Sequence, residues 1–210
     1  MRLLKVQGKG HVSVEPDLVT LSFDVSIQAK DYAQCLDALN ARTEDLRKSM
    51  ADSGLNRAQL KTSAFNVEVD NEYEKGRYTF VGYQASHRLS IELPVDCLLL
   101  NHVLRHISQG HSGAEIKLCF SVKDKNALHQ RVLAQAVQTA KDNAQALAAA
   151  AGVALGNLQQ IDYGWVEVRV YEQSAIMACA GPQAISSEPD IEPEDVKAED
   201  TVTLVYEVTG

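Results

Sequence analysis

From Val6 to Val14 the apolar or small residues fall on even positions: Val6, Gly8, Gly10, Val12 and Val14. After Pro16 they fall on odd ones: Val19, Leu21, Phe23, Val25 and Ile27. A two-residue period marks β-strand, because successive side chains point to opposite faces. The change of phase at Glu15-Pro16-Asp17 marks a bend or break, since proline has no N–H to give to a sheet. Two strands therefore meet there, and each must cover one face.

The period then switches. Asp31 is placed to cap a helix, with Gln34 in the capping-box position. Tyr32, Leu36, Leu39, Thr43, Leu46 and Met50 form one helical stripe, and Gly54 supplies the stop. Phe65, Val67 and Val69 alternate in the next strand. Val81, Tyr83, Ala85, Leu89, Ile91 and Leu93 alternate in the one after, with DNEYEKGR (70–77) read as the hairpin loop between them. A helix from about Asp96 to Gln109 buries Leu100, Val103, Leu104 and Ile107, and a strand is expected around Ile116–Val122. Asp124 caps a helix free of Gly and Pro until Gly152, about 40 Å long at 1.5 Å per residue. Its face carries Ala136, Ala140, Ala144 and Ala148, which allow close approach to a sheet. A strand over 157–171, a loop over 172–198 with three prolines and an acidic run, and a strand at Val202–Val208 complete the chain.

The predicted class is α+β with mostly antiparallel sheets, because alternation implies strands with one wet face. Residues 17–123 match the order of a ferredoxin-like βαββαβ unit. Residues 1–16 with 124–210 form a second α+β unit around the long alanine-rich helix.

Hydrophobic residues make up 45% of the chain and charged residues 23%, so a sizeable core needs no staple. The net charge of −8 argues against nucleic acid as a partner. The strand LKTSAFNVEV also lacks the aromatic and basic pattern of an RNA-binding sheet. Cys35, Cys97, Cys119 and Cys179 are widely spaced in apolar or small-residue contexts, as buried thiols would be. No apolar run reaches transmembrane length. The expected location is cytoplasmic as the chain stands. A periplasmic or envelope location is the alternative if a leader has been removed.

Several segments, in order, resemble the SIMPL-domain family: Val6-x-Gly8-x-Gly10-x-Val12-x-Val14-x-Pro16-Asp17, Thr62-Ser63-x-Phe65, Gly82-Tyr83-x-Ala85-Ser86, Ala146-Leu147-Ala148-x-x-x-Gly152, and Val202-x-Leu204-Val205-Tyr206-Glu207-Val208. The resemblance implies an α+β fold and, in several members, ring-like assembly. Members include bacterial envelope proteins linked to oxidative stress and an animal protein that binds a signalling kinase. The resemblance carries over no catalytic residues and no cofactor.

Candidate chemistry is sparse. Gly8-Lys9-Gly10 lacks the phosphate-loop spacing, and a strand follows it rather than a helix, so its glycines serve a bulge or a close neighbouring backbone. His102 and His106, at i and i+4, with His111 nearby, are weak metal candidates on the face opposite the buried stripe. His87 falls on the apolar face of its strand and is read as a hydrogen-bonded core residue, or as part of a pocket with Tyr83. Asp70, Glu72 and Glu74 are hard-oxygen candidates on one side of a hairpin end. No nucleophile elbow occurs. The expected function is a non-catalytic, homo-oligomeric binding or scaffold protein. The apolar loop Ala175, Ile176, Met177 and Ala178 is expected to contribute to the contact. A small-ligand regulatory module is the alternative, and a metal-dependent enzyme using the histidines is the third reading.

Overall fold

The structure is a computed structural model that describes residues 2–74, 76–164, 169–171, 173–178 and 192–210. The chain divides into two compact units. One comprises Asp17–Ser121 with Gln173–Pro193; the other comprises Met1–Pro16, Val122–Glu172 and Glu194–Gly210.

In the first unit β2 (Leu18–Ala29) leads into α1 (Tyr32–Asp52), then β3 (Lys61–Glu74), β4 (Arg77–Pro94), α2 (Cys97–Gln109) and β5 (Glu115–Ser121). β1 (Arg2–Val14), which precedes them, belongs to the other unit. Asp31 accepts the Gln34 N–H and caps α1; Asp96 accepts from Leu98 and Leu99 and caps α2. With β8 (Gln173–Ala178) at one edge, the sheet order is β3-β4-β2-β5-β8, and every pair is antiparallel. For β2 to β5 this is the order of a split β-α-β unit. Val19, Leu21, Phe23 and Val25 of β2 meet Leu89 and Ile91 of β4 and Ile116 and Leu118 of β5 in one cluster with the buried stripes of α1 and α2. The opposite face of β2 is polar. There Asp24 pairs with Arg88 at 2.6 Å and Lys117 at 3.5 Å.

Several expectations need correction. DNEYEKGR is not a loop, because β3 runs to Glu74 and β4 starts at Arg77. The paired rings of Tyr73 and Tyr78, with centroids 4.9 Å apart, continue the ladder where the apolar alternation has stopped. Within the expected loop 172–198, Gln173–Ala178 forms β8, which pairs with β5. The edge of β5 has backbone groups to satisfy, and this segment precedes the prolines that would forbid pairing. Val196–Ala198 already belongs to the last strand. Cys179 and residues 180–191 lie outside the described residues. Cys35 is buried, as expected, but Cys119 is only partly buried, and Cys97 is exposed because the buried stripe of α2 begins only at Leu100.

The second unit contains β1 (Arg2–Val14), α3 (Lys125–Ala151), β6 (Ala154–Asp162), β7 (Arg169–Tyr171) and β9 (Val196–Thr209). β1 lies along the full length of β9 without a register shift. β6 and β7 take the other edge of β9 in succession, so the single strand expected over 157–171 is two. α3 is capped by Asp124 and ends at Gly152, whose φ of 68° is a left-handed value that favours glycine.

The helix buries Leu128, Val132, Ala136, Ala140, Ala144 and Ala148. Opposite them, an added Cβ on Gly8 would overlap the Ala136 carbonyl oxygen and the Ala140 nitrogen. One on Gly10 would overlap the Val132 carbonyl oxygen and sit 2.9 Å from the Ala136 nitrogen. The unbroken register excludes a bulge, so the glycines serve a close neighbouring backbone. Lys9 points the other way and pairs with Glu199 at 2.6 Å. Gly8-Lys9-Gly10 is thus a seat for α3.

Candidate functional site

His87 stands on the core face of β4 and is buried. Thr43 Oγ1 of α1 lies 3.2 Å from its Nδ1, and Thr62 Oγ1 of β3 lies 2.9 Å from its Nε2. A neutral ring offers one donor and one acceptor, and a hydroxyl can complement either. The Phe65 ring closes the site edge-on, 5.4 Å away by centroids. Thr62 and Phe65, two residues of the Thr62-Ser63-x-Phe65 segment, therefore converge on His87. Burial, and secondarily the Arg47 charge, push the His87 pKa below its ordinary value of 6.5. Arg47 Nε is itself buried and has no hydrogen-bond partner among the described residues.

This geometry has a consequence for stability. The unfolded chain takes up a proton at His87 as pH falls through about 6.5, while the folded chain resists it. The contribution is therefore full above about pH 6.5 and is lost as pH drops toward the lower folded value. Denaturant unfolding between about pH 8 and about pH 5 is expected to show a stability loss that is smaller in His87→Phe. Equal pH slopes in the two proteins would refute the assignment.

The Tyr83 ring packs edge-on against Tyr32 and Phe80, with centroids 5.5 and 5.4 Å away. A shallow groove of about 410 Å³ is lined by Gln59, Lys61, Ser90, Ile91 and Glu92, and holds neither Tyr83 nor His87. His102 and His106 stack edge to face on α2, 4.6 Å apart by ring centroids. His111 is exposed, and its carbonyl accepts from Arg42. Asp70 accepts a hydrogen bond from Gln28, and Glu72 is exposed. The Glu74 side chain lies outside the described residues. Among the described residues, no three His, Cys, Asp or Glu side chains converge as a metal site.

Sequence reasoning missed a cluster in the second unit. His129 Nε2 of α3 lies 3.0 Å from Tyr163 Oη, just past β6. Tyr163 Oη donates to Asp200 Oδ2 of β9 at 2.9 Å. Burial, then the bond to Asp200 and its charge, raise the Tyr163 pKa above its usual value. The sequence did hold a signal. Asp200 falls on the even, core-facing register of β9, between Ala198 and Val202.

β3 and β4 also outrun their sheet. The last β2 pair is Ala29 with Tyr83, so residues 70–82 pair only with each other. This two-stranded arm, with the last turn of β3 before it, exposes Val69 by 53%, Tyr73 by 64%, Tyr78 by 77% and Phe80 by 53%. β3 is also a terminal strand of the sheet. At the base of the arm Gly82 lets the chain leaving β2 pass, for a Cβ there would sit 2.5 Å from the Ala29 carbonyl oxygen.

Two antiparallel sheets, one carrying two helices and the other a single long one, define an α+β protein with a split β-α-β unit in one half. Residues 4–206 match the SIMPL family, described as "Protein of unknown function (DUF541)", and the chain belongs to that family. It is 27% identical over 168 residues to the 26 kDa periplasmic immunogenic protein of Brucella melitensis, covering 75% of this chain and 65% of that protein. It is 23% identical over 206 residues to the uncharacterized protein YggE of Edwardsiella ictaluri, covering 96% of this chain and 85% of the relative. YggE of Escherichia coli K12 is 22% identical over 204 residues, covering 96% and 81%. The chain thus spans just under two thirds of the Brucella relative's length. Among the described residues, no helix is long and apolar enough to cross a membrane.

Proposed function

We propose that this chain is a non-catalytic, self-associating binding or scaffold protein. The observation that carries the reading is the arm of β3 and β4, an isolated ribbon with the aromatic side chains of Tyr73, Tyr78 and Phe80 exposed. A two-stranded ribbon is marginal alone, and an open strand edge invites pairing with another chain. A second copy of this chain offers the same edge and the same aromatics, which suits a two-fold contact. The Ala175–Ala178 stretch is a second contributor, because β8 closes the other end of the same sheet. The stress-related and kinase-binding roles of family members rest on resemblance alone and form no part of this reading. We also infer a periplasmic or envelope location, since the Brucella relative is described as periplasmic.

Light scattering tests the assembly. The wild type is expected to be oligomeric at tens of micromolar, and Tyr73→Ser/Tyr78→Ser/Phe80→Ser to fall apart into smaller species. The melting temperature of that variant is expected to drop by little more than the assembly contributes by mass action. A monomeric wild type would refute self-association, and an intact oligomer in the triple variant would remove the arm from it. Point changes on the arm are preferable to deleting residues 174–187, because that deletion removes most of β8 and uncovers β5.

A further inference from the structure

The cluster of His129, Tyr163 and Asp200 is built from three separate elements, yet three of its atoms form one small triangle. Its sides are 3.0 Å from Nε2 to Oη, 2.9 Å from Oη to Oδ2 and 3.7 Å from Nε2 to Oδ2. Ligands about 2.1 Å from a metal stand about 3.0 Å apart on an octahedral face and about 3.4 Å apart in a tetrahedron. Two sides match an octahedral face; the third, 3.7 Å from His129 Nε2 to Asp200 Oδ2, is wider, so these two atoms draw closer to share an ion. The same carboxylate oxygen faces both partners, and the other one is fixed by the Thr201 N–H at 2.7 Å. The Asp200 side chain is 9% exposed and the His129 side chain 32%, so the face is anchored on one side and reachable from the other.

We propose that His129, Tyr163 and Asp200 form a facial site for ferric iron. The donor set is one imidazole nitrogen, one phenolate oxygen and one carboxylate oxygen. Two anionic oxygens suit a hard, highly charged ion, imidazole suits iron as well, and tyrosine oxygen is a known ligand of ferric haem. In the metal-free protein the triangle is held by hydrogen bonds. On binding, Tyr163 Oη–H releases its proton to solvent and the oxygen becomes a ligand. His129 binds through the Nε2 lone pair, with its proton on Nδ1, and Asp200 Oδ2 binds as the carboxylate. Solvent or a small anion completes the coordination through the exposed side. The ferric ion offsets the charge of the phenolate that its own binding creates beside the Asp200 carboxylate at the edge of an apolar core. This inference is independent of the self-association reading, which concerns the other unit.

The test titrates untagged protein with ferric nitrilotriacetate in a His102→Gln/His106→Gln background, which removes the adventitious histidine pair. The expected result is a visible phenolate-to-iron charge-transfer band saturating near one iron per chain, with a rise in melting temperature. Tyr163→Phe is expected to keep the fold and lose the band. Asp200→Asn and His129→Gln are expected to weaken iron binding at least about tenfold, since first ligands matter no less than their supporting shell. Two results would overturn the proposal. One is the absence of both band and thermal shift at excess iron. The other is a band that persists in Tyr163→Phe, which would place the iron on other tyrosines. Circular dichroism of each variant without iron confirms that a lost band is not a lost fold.

Discussion

Valine at Gly8 or Gly10 is expected to lower stability by more than about 3 kcal/mol, the upper end of the usual cost of overpacking. For a chain of this size that is a drop of at least about 6–12 °C in melting temperature. The reason is the identity of the atoms in the way. A Cβ at Gly8 meets the carbonyl oxygen of Ala136 and the nitrogen of Ala140, which are backbone, and no rotamer moves them. Relief requires α3 to lift from β1, and that opens the contacts of Ala136, Ala140 and Ala144 with Val6, Val202 and Leu204. The same argument predicts a failed rescue. Ala140→Gly in the Gly8→Val background should restore nothing, because the clash is with the backbone of residue 140. Thermal and denaturant unfolding of both proteins checks this. A Gly8→Val protein as stable as wild type would show that α3 does not rest on the glycines, and rescue by Ala140→Gly would show that the obstruction was a side chain.

The second large effect lies in the other unit, whose cohesion is of a different kind. Phe23→Ala is expected to cost about 3–5 kcal/mol, from lost transfer energy and the cavity left behind. Phe23 is fully buried in β2 and stands between Leu89 of β4 and Ile116 of β5 in register. Leu21 and Val25 on the same face are already held in the close-packed cluster, so the space left by the ring is filled only in part. Urea unfolding should show the loss at an unchanged m-value, and hydrogen exchange should rise first in β2, β4 and β5. A loss below about 1 kcal/mol would mean that the sheet collapses around the gap.

Much of this fold was legible because it is local. The alternation of β2 and β4, the stripe Leu100-Val103-Leu104-Ile107 of α2, the caps Asp31 and Asp124, and the stop at Gly152 each sit within one element. Each expresses a backbone period or a terminal hydrogen bond that holds in any surroundings. Where an element leaves the core, the reading weakened. In α1 the buried position is Cys35 rather than Tyr32, because the first turn overhangs the sheet and the Tyr32 ring packs on Tyr83 instead. The arm past residue 70 was taken for a loop because its pairing is held by aromatic contacts, with no buried face to impose an alternation on the sequence.

The sites divide in the same way. That His87 is a hydrogen-bonded core residue followed from its place in an apolar register; that its partners are Thr43 and Thr62 did not, since they come from another helix and another strand. The glycines at 8 and 10 could be read as room for something, and Ala136, Ala140 and Ala144 as a surface able to come close. Only packing decides that the helix is what fills the room. His129, Tyr163 and Asp200 lie on three elements with no spacing to connect them, and their donor atoms meet within 3.7 Å. A residue's period along the chain is set by its own backbone torsions and can be read in a short window. Convergence between distant residues is set by which faces bury each other, a choice made by the whole core at once.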